Sequence, residues 1–231
     1  MINDKKLLAV IPARGGSKGI PGKNIIPVNG KPLIQYTIDT AKNSKYIDEI
    51  HVSTDDSKIA AVSEKCGIKV PRLRPNHLAQ DDSKSIEVLI DTIQYYQTIG
   101  RTFDYVILLQ PTQPLRQTFH IDEAIELIYK KRATSLVSVS IVHEHPILMR
   151  QIDSTGNLVS LIKTNSTVRR QELPSFYIVN GAIYINEIND IFNLNTSLND
   201  NILPYIMDEK YHVDIDGYED LQEFERKLNL I

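Results

Sequence analysis

The chain has 231 residues, 42% of them hydrophobic and 24% charged, with a formal net charge of −3. This length and mix suit one large folded domain and exclude disordered and collagen-like chains. Near-neutral charge argues against a nucleic-acid binder held by bulk electrostatics, and a single cysteine, Cys66, excludes an internal disulfide framework and a cysteine-rich zinc site. Leu7–Leu8–Ala9–Val10–Ile11 reads as a strand buried on both faces. Pro32 to Asn43 has apolar residues near helical spacing, and Ile50 to Ser53 is a second short strand. A helix from Ser57 to Lys65 ends before Gly67, and Ile68–Lys69–Val70 is expected as a third strand. Ser83 to Tyr96 is a helix, Tyr105 to Leu109 a central strand, His120 to Lys131 a helix and Ser135 to Ile141 a strand. The alternation predicts an α/β fold with a mainly parallel sheet and helices on both faces. Residues 143–175 break the rhythm and read as a β-rich excursion around the turn Asp153–Asn157. Strands are expected again at Gly181–Ile185 and Tyr211–Asp216, and a last helix at Glu219–Leu228. No apolar run approaches the ~18 residues of a membrane span, and Leu7–Pro12 is too short for a signal core, so a cytoplasmic protein without membrane partners is expected.

The first strand runs into Ala13–Arg14–Gly15–Gly16–Ser17–Lys18–Gly19–Ile20–Pro21–Gly22–Lys23–Asn24. Its glycines let the backbone approach a ligand closely, and Arg14, Lys18 and Lys23 put three positive charges on one loop. In open α/β sheets ligands bind beyond the carboxyl ends of the strands, so this loop can aim N–H groups and cations at a polyphosphate. The dinucleotide spacing G-x-G-x-x-G fails at Ser17 and Lys18. The G-x-x-x-x-G-K-[ST] pattern also fails, because Ser17 and Asn24 stand where glycine and a hydroxyl residue belong. The alternative is a surface loop with solvated cations.

Asp214 and Asp216 alternate along His212–Val213–Asp214–Ile215–Asp216, which in a strand puts both carboxylates on one face. Two carboxylates so placed repel unless a cation lies between them, and a hard ion such as Mg²⁺ would bind both and phosphate oxygens as well. An unremarkable acidic strand edge is the alternative. His143 and His145 lack a third ligand nearby, and no G-x-S-x-G pattern supports acyl hydrolysis.

Read together, Ile11–Asn24, Val52–Asp55, Leu73–Pro75, Leu108–Arg116, Arg170–Pro174, Asn180–Tyr184 and Asp214–Asp216 resemble, in order, the motifs of the N-acylneuraminate cytidylyltransferase family and related CMP-nonulosonate synthetases. The resemblance implies a Rossmann-like three-layer fold in one nucleotidyltransferase domain, residues 1–231, with 143–175 reaching the partner subunit of a homodimer. It implies that CTP and a nine-carbon keto-sugar acid give the CMP-sugar and pyrophosphate, with Mg²⁺. It further implies that Arg14 and Lys23 neutralise the triphosphate, while Ala13, Gly16, Ser17 and Asn24 shape the nucleotide loop. Arg74 and Ser85 would lie near cytosine and ribose, and Gln110, Arg170, Asn180 and Tyr184 would face the sugar acid. Asp214 and Asp216 would hold Mg²⁺, Asp216 also taking the proton of the attacking hydroxyl. Departures fall on the sugar side. Ile147–Leu148–Met149 follows His145–Pro146 where a basic residue is usual, Ile178–Val179 precedes Asn180, and Ser197–Leu203 has no aromatic pair. They suggest another nonulosonate, such as legionaminate. An octulosonate acceptor and a catalytically silent nucleotide-binding module are the competing functions.

Overall fold

The computed structural model describes residues 4–162 and 174–230. Its centre is a six-stranded mixed sheet of β1 (Leu7–Pro12), β4 (Glu49–Ser53), β5 (Tyr105–Leu108), β6 (Ser135–Ile141), β9 (Tyr177–Glu187) and β10 (Leu203–Ile206). The order across the sheet is β10-β6-β9-β5-β1-β4. The β1–β4, β1–β5 and β6–β10 pairs are parallel, and only β9 runs against its neighbours. Two small antiparallel ribbons lie outside it: β2 (Pro27–Val28) with β3 (Lys31–Pro32), and β7 (Arg150–Ile152) with β8 (Leu158–Ser160). The expected α/β class with a mainly parallel sheet is what the chain forms.

Buried apolar side chains line both faces of the sheet. One core joins Leu7, Ala9 and Ile11 to helices α1 (Leu33–Lys42), α2 (Ser57–Lys65) and α4 (Thr118–Lys131). The opposite core joins Leu8, Val10, Val106 and Leu108 to α3 (Ser85–Thr98). Central strands buried on both faces are the physical reason β1 reads as a continuous apolar run. A third cluster gathers Ile20, Val28, Leu33, Leu115, Val213, Ile215, Leu221 and Phe224, and so seats α5 (Tyr218–Leu228) beneath the glycine loop. Among the described residues no helix is long and apolar enough to cross a membrane.

Helix ends follow local chemistry. The Asp56 side chain accepts from Lys58 N at 2.6 Å and starts α2, and Gly67 stands just past its end at φ 86°. Two expectations need correction, and one strand was not expected. Residues 68–70 form no strand: they lie between Gly67 and Pro71, and a proline has no N–H for a ladder. His212 to Ile215 is extended but joins no sheet. The β10 edge strand went unanticipated because Pro204 interrupts it, which a sheet tolerates at an edge. The β-rich reading of 143–175 is realised as the β7–β8 hairpin up to residue 162; residues 163–173 lie outside the described part.

Candidate active site

Parallel register brings the carboxyl ends of β1, β4 and β5 together, with Pro12 opposite Ser53 and Val10 opposite Leu108. The glycine loop leaves β1 at this edge, Thr54–Asp55 leaves β4, and Gln110 follows β5. Ala13 is fully buried and its N–H bonds Ser53 O at 2.9 Å, while Gly15 N donates to Asp55 Oδ1 at 2.9 Å. Buried Asn24 donates from its amide to Arg14 O at 3.0 Å, folding the loop back on itself. No atom comes within 4 Å of where a side chain on Gly16 would begin, so that backbone borders open space. Gly19 is different. A Cβ there would lie 2.0 Å from Asp216 O, so only glycine lets the loop touch the acidic segment.

That contact carries the site. Lys23 Nζ donates to Ile215 O at 2.7 Å and lies 3.1 Å from Asp216 Oδ1. Val213 and Ile215 are buried in the third core, which turns Asp214 and Asp216 together to the exposed side. Ile215 N bonds Thr112 O at 3.0 Å, tying the acidic segment to the turn after β5. The alternation expected of a strand is therefore kept by an extended segment pinned to a loop. Asp214 is exposed by area, yet neighbouring protein displaces enough water to raise its pKa, and the Asp216 charge adds to this. The Thr112 hydroxyl and Lys23 act the other way. Two acidic oxygen donors that repel on one face fit a hard divalent ion, which takes few protein carboxylates and completes its shell with phosphate and water. Among the described residues no group of three or more His, Cys, Asp or Glu could hold a metal, so phosphate oxygens and water would have to complete that shell.

Two further cationic groups border the loops after β1 and β4. Arg74 is buried, with Nε and Nη2 lacking hydrogen-bond partners and Asp55 4.0 Å away. Burial pushes its pKa down, and Asp55 opposes that shift. Arg14 and Lys18 converge on Asp81, at 2.8 and 2.7 Å, and Arg14 also donates to Gln80 O at 2.8 Å. Lys18, then the Arg14 charge, holds the Asp81 carboxyl below its usual range. Sequence reading missed Asp81, which lies in a loop with no periodicity or motif of its own.

Two cavities flank Gln110. A larger one, about 620 Å³, is lined by Ser85, Gln110, Tyr184 and the 194–199 loop. A smaller one, about 350 Å³, joins Gln110, Asn180, Gly181 and Tyr184 to Asp214. Gln110 and Tyr184 thus border both. The Tyr184 hydroxyl donates to Asn199 Oδ1 at 3.2 Å. Asn180 is 3% exposed and its amide is committed within the sheet: Oδ1 accepts from Ser138 Oγ at 2.5 Å and Ala182 N at 3.1 Å, and Nδ2 donates to Ser140 Oγ at 3.0 Å. It fills a bulge where β9 slips against β6 between Val137 and Val139. Gly181 takes φ 75° there. Ser17 stays on the glycine loop, and Arg170 lies outside the described residues.

The family model described as "Cytidylyltransferase" matches residues 8–224. The chain is 45% identical over 181 residues to the CMP-N,N'-diacetyllegionaminic acid synthase of Legionella pneumophila, covering 78% of this chain and 77% of that protein. It is 34% identical over 217 residues to the N-acylneuraminate cytidylyltransferase of Streptococcus agalactiae serotype V, covering 93% of this chain but only 51% of the relative. The chain thus spans about half the length of the streptococcal protein. Among solved structures, CMP:2-keto-3-deoxy-manno-octonic acid synthetase complexed with CTP superposes with a TM-score of 0.73 at 18% identity, over 97% of this chain and 99% of that one. At that identity the likeness speaks for the fold.

Proposed function

The chain belongs to the cytidylyltransferase family, and from that membership we propose that it transfers CMP from CTP to the anomeric hydroxyl of a nonulosonic acid, releasing pyrophosphate. The contact of Lys23 with Ile215 O and Asp216 carries the reading, because it joins a phosphate-type loop to a pair of acids.

The chemistry asks for alignment and charge neutralisation more than for a covalent group. Arg14 and Lys23 neutralise the triphosphate on a loop shaped by Ala13, Gly16, Ser17 and Asn24. Arg74 has two free buried donors for the nucleoside, and Ser85 lies in the larger cavity beside it in function. Gln110, Asn180 and Tyr184 border the acceptor pocket, Asn180 through the bulge it fills, and Arg170 is assigned the acceptor carboxylate, whose two oxygens match its fork. Asp214 and Asp216 would hold Mg²⁺, which supplies charge neutralisation at the phosphate oxygens. The anomeric oxygen bonds the α-phosphorus, the bond to the bridging oxygen breaks, pyrophosphate leaves, and Asp216 takes the hydroxyl proton.

The acceptor is assigned to the N-acylated nine-carbon class and, given the departures on the sugar side, to a legionaminate-type acid. The Legionella relative's name supports this choice. A homodimer formed through the β7–β8 hairpin and a cytoplasmic location complete the proposal. Pyrophosphate release from CTP and Mg²⁺ with a panel of sugar acids tests it. The expected result is product with N,N'-diacetyllegionaminate or a close analogue, abolished by EDTA and restored by Mg²⁺. Product with 3-deoxy-manno-octulosonate alone, or no product despite CTP binding, would overturn it.

A further inference from the structure

Arg116 is among the largest side chains the fold hides completely, at 1% exposed. It stands between the turn after β5 and the start of α4. Nη1 donates to Ala182 O at 2.7 Å and to Gln110 O at 3.4 Å, and Nη2 donates to Thr37 Oγ1 at 2.8 Å. Nε is buried without a partner. All these acceptors are neutral oxygens, and burial is the single influence lowering its pKa, to about 9, so the group stays charged at neutral pH. Among the described residues no carboxylate is paired with it. A buried cation without a counter-ion is costly, and this one is held because its fork satisfies buried oxygens that an apolar side chain would leave unpaired.

The segments it joins matter for the acceptor. Gln110 and Gly181 both border the cavity that contains Asp214, and Ala182 is the next residue of β9. The Gln110 side chain lies against Gly181, since a Cβ on that glycine would stand 2.8 Å from Gln110 Oε1. One guanidinium nitrogen therefore sets how the Gln110 main chain meets β9. Thr37 belongs to α1, which packs under the glycine loop's end of the sheet.

We propose that Arg116 is a positioning residue for the acceptor: its fork holds the Gln110 main chain against β9, and Gln110 borders the acceptor pocket. This rests on the reading of the site as one that activates a nonulosonic acid. Arg116 touches no substrate itself.

Steady-state kinetics of Arg116→Met and Arg116→Lys, with CTP affinity measured by calorimetry, test the proposal. Arg116→Met should raise the KM for the acceptor by about tenfold, the scale of one acceptor hydrogen bond lost when Gln110 shifts, with CTP affinity changed by less than about threefold. Arg116→Lys keeps a donor without the fork and should recover part of that loss. Equal losses for CTP and acceptor, or an unchanged acceptor KM in folded Arg116→Met, would overturn the proposal. Thr37→Val, which removes one partner and leaves the cation, guards against a variant that fails to fold, and should raise the acceptor KM alone. Amide hydrogen exchange gives a readout that needs no acceptor. Arg116→Met or Thr37→Val should speed exchange at residues 110, 112, 113 and 181–183 and leave β1 and β4 unchanged; protection unaltered in those segments would overturn the positioning role. Absence of turnover by the wild type would count against the functional reading alone, because the exchange result still decides the role of Arg116.

Discussion

At the scale of single residues, the site is built from charges held by backbone carbonyls as much as by each other. Lys23 is 13% exposed at its side chain and bonds Ile215 O, whereas its carboxylate neighbour Asp216 is 82% exposed. Screening by water makes that ion pair weak, so the lysine is placed by the carbonyl and by the loop rather than by the pair. Lys23→Met should therefore fold normally and lose activity, by about 10²-fold or more in kcat, the scale of losing one donor to a developing charge. Circular dichroism and pyrophosphate release check both halves; a variant within a few-fold of wild type would remove Lys23 from the mechanism. Arg14 and Lys18 are partnered by Asp81, so a triphosphate that takes these cations must displace a carboxylate. The glycine loop was legible because its charges and glycines are contiguous in sequence. Asp81 and Arg116 were not. The first acts across a loop without pattern, and the second sits inside a recognised motif, where nothing local reveals that its partners come from α1 and β9.

At the scale of elements, periodicity located most helices and central strands, and local chemistry decided the remainder. The helix expected from His120 begins at Thr118 because His120 Nδ1 accepts from Gln117 N at 2.9 Å and caps α4. Burial lowers the His120 pKa to about 4, with the Arg116 charge adding, and burial does the same at His51 with help from Arg72. Both are neutral in the folded chain and titrate near 6.5 when unfolded. The unfolded state thus binds more protons between pH 6.5 and 4, and stability falls as pH drops through that window. The loss is up to roughly 3 kcal/mol for each histidine, an order-of-magnitude figure. Denaturant midpoints at pH 7.5 and 5 check this: the midpoint should fall at pH 5, and His51→Leu should remove part of the fall. A midpoint equal at both pH values would contradict it. The register slip in β9 is invisible in the sequence, since the expected strand begins only at Gly181 and nothing local shows that Ser138 and Ser140 come opposite Asn180. The β7–β8 hairpin exposes Ile152 and Leu158 at 69% and 70%, with Leu148 and Leu161 nearby in sequence also exposed. An apolar ribbon of this kind is what a second copy would cover. Sedimentation should give a dimer for the wild type and a monomer for Leu158→Asp; a wild-type monomer would remove the dimer from the account.

At the scale of the whole molecule, function follows from where the sheet delivers its loops. β1, β4 and β5 are parallel and adjacent, so three turns meet at one edge. The 212–216 segment reaches that edge from outside the sheet, held by its own small core of Val213, Ile215, Leu221 and Phe224. The sequence carried the alternation of apolar and acidic residues but not its partner, because a loop carbonyl at Thr112 replaces the expected neighbouring strand. The glycine loop and this acidic segment are proposed to act on one nucleotide. The most direct test of this compares wild type and Asp216→Asn for CTP binding by calorimetry and for pyrophosphate release with CTP, Mg²⁺ and the acceptor. The Asp216 side chain is 82% exposed and water screens its ion pair with Lys23, so the variant should keep its fold and most of its CTP affinity while turnover collapses. Turnover equal to wild type in Asp216→Asn would contradict the account.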